Sequence, residues 1–163
     1  MSTLELMNKT IEKLYAIDRI ITAMQKRPHN YAGECLHSNE AHTLKMIAEN
    51  EGISQAELSD RMLRTKGATS VMVDKLVSYG LVHRERENGN QRRYLLTLTE
   101  HGWTVHRAHM NYDESHARYA AQKLGMSAEE LVDLNDKLDH IIQFYSTHYL
   151  NHGWPIQVDE SEL

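Results

Sequence analysis

The stretch "TKGATSVMVDKLVSYGLV", residues 65–82, starts with short side chains and turns apolar only after its first turn. Thr65, Gly67, Ala68, Thr69 and Ser70 surround one long residue, Lys66. Glycine inside a helix costs about 1 kcal/mol against alanine, so a helix that only packs has no reason to carry one there. A helix that must lie close against a large polar partner has a reason to stay slender at its front. Further on, Met72, Val73, Leu76 and Val77 repeat at helical spacing and predict a core-facing stripe. Gly80 then stands where helices are closed by a left-handed residue.

The flanking sequence places this helix. Downstream, "LVHRER" and "RRYLLTL" read as strands separated by "ENGNQ", in which Asn88–Gly89 suits a hairpin turn. Upstream, "SQAELSDRML" opens with a capping box, Ser54 and Glu57, and predicts a short helix. Before it, a helix starts near Ser38, carries His42, Met46 and Ile47, and ends at "ENEG". The first helix shows Leu4, Met7, Ile11, Leu14, Ile17, Ile21 and Met24 at three- and four-residue spacing and stops before Pro28. "RPHNYAGECLHS" reads as a connecting loop. After the hairpin, Thr97 with Glu100 caps a long helix to about 123, and Gly125 breaks it. Ser127 with Glu130 caps a last helix striped by Leu131, Leu134, Leu138, Ile141 and Tyr145, and the tail "GWPIQVDESEL" reads as loosely ordered.

Helix, helix, short helix, turn, helix and two-stranded hairpin, in that order, predict a mainly α fold with a small two-stranded β wing. This is a winged helix-turn-helix, whose second helix enters a DNA major groove front end first. The 65–79 helix and the 81–97 wing are then the reading elements. Thr65, Lys66, Gly67, Ala68, Thr69, Ser70 and Val71 form the approach, with Gln55 at the start of the preceding helix and Lys75 one turn on toward a phosphate. Arg84, Arg86, Arg92 and Arg93 bring the wing to neighbouring backbone or minor groove.

The totals agree. The 163 residues are 40% hydrophobic and 25% charged, which fits one domain over 1–163. No apolar run of about 18 residues exists, so no membrane partner is expected. The N-terminus lacks the continuous apolar region of a signal peptide, and the single cysteine, Cys35, suits a reducing cytoplasm. The net charge of −5 hides a division. Residues 61–93 hold eight Lys/Arg against three acids, while the rest of the chain holds ten against twenty. One basic middle in an acidic chain is a local footprint for double-stranded DNA.

At these residues a family enters. "ISQAELSDRMLRTKGATSVMVDKLVSYGLVHRERENGNQRRYLLTLTEHG" resembles the core of MarR-type transcriptional regulators, and with the flanking helices the resemblance covers about 4–150. It implies a winged lobe over 37–99 and a homodimer held by helices at 4–27 and 100–150. It further implies a repressor that reads a palindromic operator and is released by a small molecule or metal ion. Apolar stripes on both terminal helices support the dimer on their own. The family's wing-tip arginine and second aspartate fall here on Asn90 and Gln91, which shifts the expected contacts to Arg92 and Arg93. Val71 replaces what is often a polar or basic group and suits a thymine methyl.

Eleven histidines raise the question of a switch. His106, His109, Asp113 and His116 lie on the long helix, with His109 and Asp113 four apart on one face. Imidazole and carboxylate suit Zn²⁺ or another divalent ion, but two ligands from one helix do not close a site. His42, Glu34, Cys35 and His37 are the candidates for the rest. Resemblance to the zinc-sensing branch of the family selects Glu34, His42, His109 and Asp113, with aspartate replacing a second histidine and Ala41 replacing a glutamate of that branch. Competing switches are an organic anion near Tyr15, Tyr31, Trp103 or Tyr112, and oxidation of Cys35. The alternative class is a metal-dependent enzyme built on His42, His109 and Asp113. Against it, the chain has no His-Glu-x-x-His helix, P-loop or nucleophile elbow.

Overall fold

The structure, a computed structural model, describes residues 1–87 and 90–147, without the side chains of 90–92. Its elements are α1 (Thr3–Gln25), β1 (His29–Tyr31), β2 (Glu34–Leu36), α2 (Ser38–Glu49), β3 (Ile53–Ser54) and α3 (Gln55–Arg61). There follow α4 (Lys66–Ser78), β4 (Val82–Glu87), β5 (Asn90–Leu98), α5 (Glu100–Leu124) and α6 (Ala128–Tyr145). The chain forms two compact units, Met1–Glu114 and Ser115–Leu163. No helix among the described residues is long and apolar enough to cross a membrane.

The caps set the helix starts. Ser54 Oγ accepts the Glu57 N–H at 3.2 Å, and Glu57 Oε2 accepts the Ser54 N–H at 2.9 Å. Thr65 caps α4 by accepting the Ala68 N–H at 3.2 Å, and Gly80 closes the far end with φ +67°. Ser127 and Glu130 form the expected box at α6. At α5 the cap is Thr99, not Thr97: Thr99 Oγ1 accepts the Gly102 N–H at 2.8 Å, while Thr97 pairs with His83 across the wing.

Two features correct the reading of the sequence. Residues 29–36 are a hairpin rather than a loop, with His29↔Leu36 and Tyr31↔Glu34 in register. Its turn, Ala32–Gly33, takes positive φ at both residues (+52° and +97°), the twist that suits two-residue hairpins. The wing is three-stranded, ordered β3-β5-β4, because Ile53 and Ser54 add a short edge opposite Leu96 and Leu95. The Asn88–Gly89 turn, the 148–150 end of the last helix and the 153–163 tail lie outside the described residues.

Among the described residues, all the buried apolar side chains fall between Tyr31 and Val105, among them Leu36, Leu44, Ile47, Leu58, Val73, Leu76, Leu81 and Leu96. They seat α4 on α2, α3 and the wing. Gly102, in the first turn of α5, lies so close to Leu81 that an added Cβ would overlap the Leu81 carbonyl oxygen. Neither α1 nor α6 buries a residue.

Candidate nucleic-acid interface and metal-ligand cluster

The front of α4 is bare. Lys66, Gly67, Ala68 and Val71 are exposed, Val71 to 70%, and Ser70 is half-buried. A Cβ added at Gly67 would meet nothing within 4 Å, so no neighbour in the chain demands glycine there. Thr69 departs from the expected set. It is 2% exposed and shares the inward stripe with Val73 and Leu76, four and seven residues on, so its side chain belongs to the core and not to an approach surface. Its Oγ1 is buried without a hydrogen-bond partner.

Most of the wing cations are already occupied. Arg84 donates to Asp74 Oδ1 of α4 at 2.5 Å, and Arg84 and Arg86 both lie over the Tyr94 ring, at 5.3 and 5.6 Å. Arg93 bridges Glu57 of α3 (3.3 Å) and Glu87 of β4 (3.1 Å). The Ser54 hydroxyl and N–H, aided by Arg93, hold the Glu57 carboxyl down at about 2, so that it stays ionised. Arg92 was expected to act here, but its side chain lies outside the described residues. Lys75, expected at a phosphate, instead pairs with the buried Glu40 of α2. Lys66 has no acidic partner among the described residues. It lines a cavity of about 360 Å³ together with Gln55, Ser59, Arg93 and Tyr94, between the fronts of α3 and α4 and the wing. Gln55 also has a buried side-chain Oε1 without a hydrogen-bond partner.

A second cluster joins α2 to α5. One ligand atom each from His42, His109 and Asp113 all lie within 4.8 Å of one another. His109 Nε2 is 3.4 Å from Asp113 Oδ1, and the His42 and His109 rings are 5.4 Å apart. Burial pushes the His109 imidazole below its ordinary value, against the pull of Asp113. The neutral imidazole so favoured is the ligating form. Two nitrogens and one carboxylate oxygen fit Zn²⁺ and similar ions, with positions left open. Tyr31 packs edge-on against His109 at 5.2 Å and Tyr112 at 5.7 Å, and burial raises its phenol.

Glu34 is not in this group: its Oε1 is 2.9 Å from His101 Nε2. His106 also turns aside, packing edge-on against Trp103 at 5.6 Å. Cys35 is exposed, 3.9 Å from Asn30 Nδ2, and Tyr15 is exposed on α1. Sequence reasoning missed Glu40, Tyr94 and His101. Only Glu40 carried a signal, as the third residue of a helix.

Residues 36–94 match the model of the MarR family. An uncharacterised helix-turn-helix regulator, YhjH of Bacillus subtilis, is 29% identical over 79 residues, 48% of this chain and 45% of that protein. The chain therefore spans about half the length of the curated relative it matches. Among solved structures, FabT of Streptococcus pneumoniae in complex with DNA superposes with a TM-score of 0.68 at 19% identity, covering 88% of this chain and 98% of that one. A cysteine-to-serine variant of MarR from E. coli with operator DNA gives 0.69 at 17%, covering 86% and 99%.

Proposed function

We propose that this chain, which carries a MarR-type winged helix-turn-helix, is a DNA-binding transcriptional regulator, acting in the cytoplasm as a homodimeric repressor on a palindromic operator. The observation that carries the reading is the exposed, slender front of α4 beside a wing that holds Arg84, Arg86 and Arg93. Contact from Lys66 through Val71 sets the register, with Thr69 serving the core behind it. The dimer is supported by α1 and α6, which together expose Leu4, Met7, Ile17, Ile21, Val132, Leu134 and Ile142. Apolar groups repeating in this way are covered by a second copy at modest cost. The solved relatives described with DNA support the same partner here.

The effector reading follows from the second cluster. His42 comes from α2 and His109 with Asp113 from α5, so an ion bound by all three would fix the spacing of those helices. It would bias DNA affinity by no more than its differential affinity for the two spacings. We read the trio as a sensor and not as a catalytic centre, because the proteins it resembles are described as regulators.

Fluorescence anisotropy with the gene's own upstream duplex tests both parts. Saturable binding that unrelated duplex does not compete away supports the regulator. Absence of any specific complex at moderate salt, with and without Zn²⁺, would remove it. Equilibrium dialysis should give one Zn²⁺ per chain, lost in His42→Ala and His109→Ala. Retention in both variants would place the metal elsewhere.

A further inference from the structure

Glu40 is the one carboxylate of the described interface region that is withdrawn from water: it is 3% exposed at the third position of α2. Both its oxygens are used. Oε2 accepts the His37 backbone N–H at 2.7 Å, and Oε1 pairs with Lys75 Nζ of α4. His37 in turn sets its imidazole Nδ1 3.2 Å from the carbonyl oxygen of Gln25, the last residue of α1. One buried carboxylate thus connects the end of α1, the start of α2 and the last turn of α4.

The wing pairs differ in kind. The acids that hold Arg84 and Arg93 reach solvent, with 55% of the Asp74, 54% of the Glu57 and 31% of the Glu87 side chain exposed. Water and salt screen such pairs, and DNA phosphates can replace them. The Glu40 side chain is 4% exposed, and breaking its pair leaves a charge in the interior. A lysine committed to a buried internal acid is poorly placed for phosphate. Its use is geometric: it fixes the height and rotation of the helix whose first turn is bare.

We propose that Glu40 is a positioning residue for DNA reading, acting through Lys75 to lock α4 against the front of α2. This rests on α4 being the DNA-contacting helix. The experiment therefore includes a measurement that needs no DNA.

The full chain is compared with Glu40→Gln, Lys75→Met, the double variant and Lys75→Arg. Hydrogen exchange of the 66–78 amides is followed without DNA, and anisotropy with operator and unrelated duplex across a salt series. A lock predicts faster exchange in α4 for Glu40→Gln and Lys75→Met, and about tenfold weaker operator binding in each. It also predicts an unchanged salt slope, a double variant no worse than either single, and near-normal behaviour of Lys75→Arg. Three results would overturn it. Glu40→Gln could tighten binding to every duplex, making Glu40 only a mask on Lys75. Lys75→Met could lower the salt slope by about one for all sequences, making Lys75 a phosphate contact. Exchange in α4 could stay as in the parent in both singles. Should either single variant fail to fold, the double variant and Lys75→Arg decide, since neither leaves the buried carboxylate without a partner. If the parent binds no duplex, the regulator reading fails while the exchange data still decide the lock.

Discussion

The segment from Tyr31 to Val105 and the helices α1 and α6 obey different rules. The first holds every buried apolar side chain among the described residues; the other two bury none, although both are amphipathic and capped. A short helix gains most of its stability from a covered apolar face. The winged lobe therefore accounts for its own folding, whereas α1 and α6 present faces suited to a second molecule. The difference teaches where to look for each property: stability in the lobe, assembly in the flanking helices.

The sharpest way to break this contrast is a cavity in the lobe. Leu76→Ala, at a fully buried site in α4, should cost about 2–5 kcal/mol in denaturant unfolding. A loss below about 1 kcal/mol would mean the core is not where stability resides. Next comes Ile17→Asp with Ile21→Asp on α1. Sedimentation should show monomers, lobe stability should stay within about 0.5 kcal/mol, and operator affinity should fall by about 10²-fold as the second half-site is lost. A dimer that survives would show that α1 is not the assembly face.

A smaller effect separates the two regions by pH. The folded His109 imidazole lies below its ordinary value because it is buried, so the unfolded chain binds more protons as pH falls below about 6.5. Stability should then drop on acidification from 7.5 to 5.5, and His109→Gln should flatten that slope. An unaltered slope would assign the protons to another group. Smallest of all, Lys66→Ala should lower the salt slope of DNA binding by about one without changing Tm; an unchanged slope would take Lys66 off the phosphates.

Much of the fold was legible because its signals are local. Ser54 with Glu57, Ser127 with Glu130, and Gly80 each act within a few residues, and so does the inward stripe of α4 from Val73 to Leu76. Of the trio, His109 and Asp113 were legible by their spacing on one helix, while His42 was one of four candidates among which only the resemblance chose. What escaped depends on distant pairing. The β1–β2 hairpin hides behind Ala32, which seldom takes positive φ, so Ala32–Gly33 lacks the mark that Asn88–Gly89 carries. β3 is two residues whose strand character comes wholly from β5. Glu34 turned to His101 and Lys75 to Glu40 because partners 67 and 35 residues away compete for them, which spacing along one helix does not reveal. Thr69 was misplaced by counting small residues without following the stripe they interrupt.

Gly102 ties the two functional clusters to one reference point. With no room there for a methyl group, backbone meets backbone, and the direction in which α5 departs from the foot of the wing is fixed by hard contact. Asp113 lies eleven residues on, about 16 Å along the axis, so a tilt of about 10° would carry it about 3 Å. Because His109 rides on the same helix, such a tilt would draw both groups away from His42 on α2. The spacing between His42 and the pair His109 and Asp113 is thereby set from a position that touches none of them.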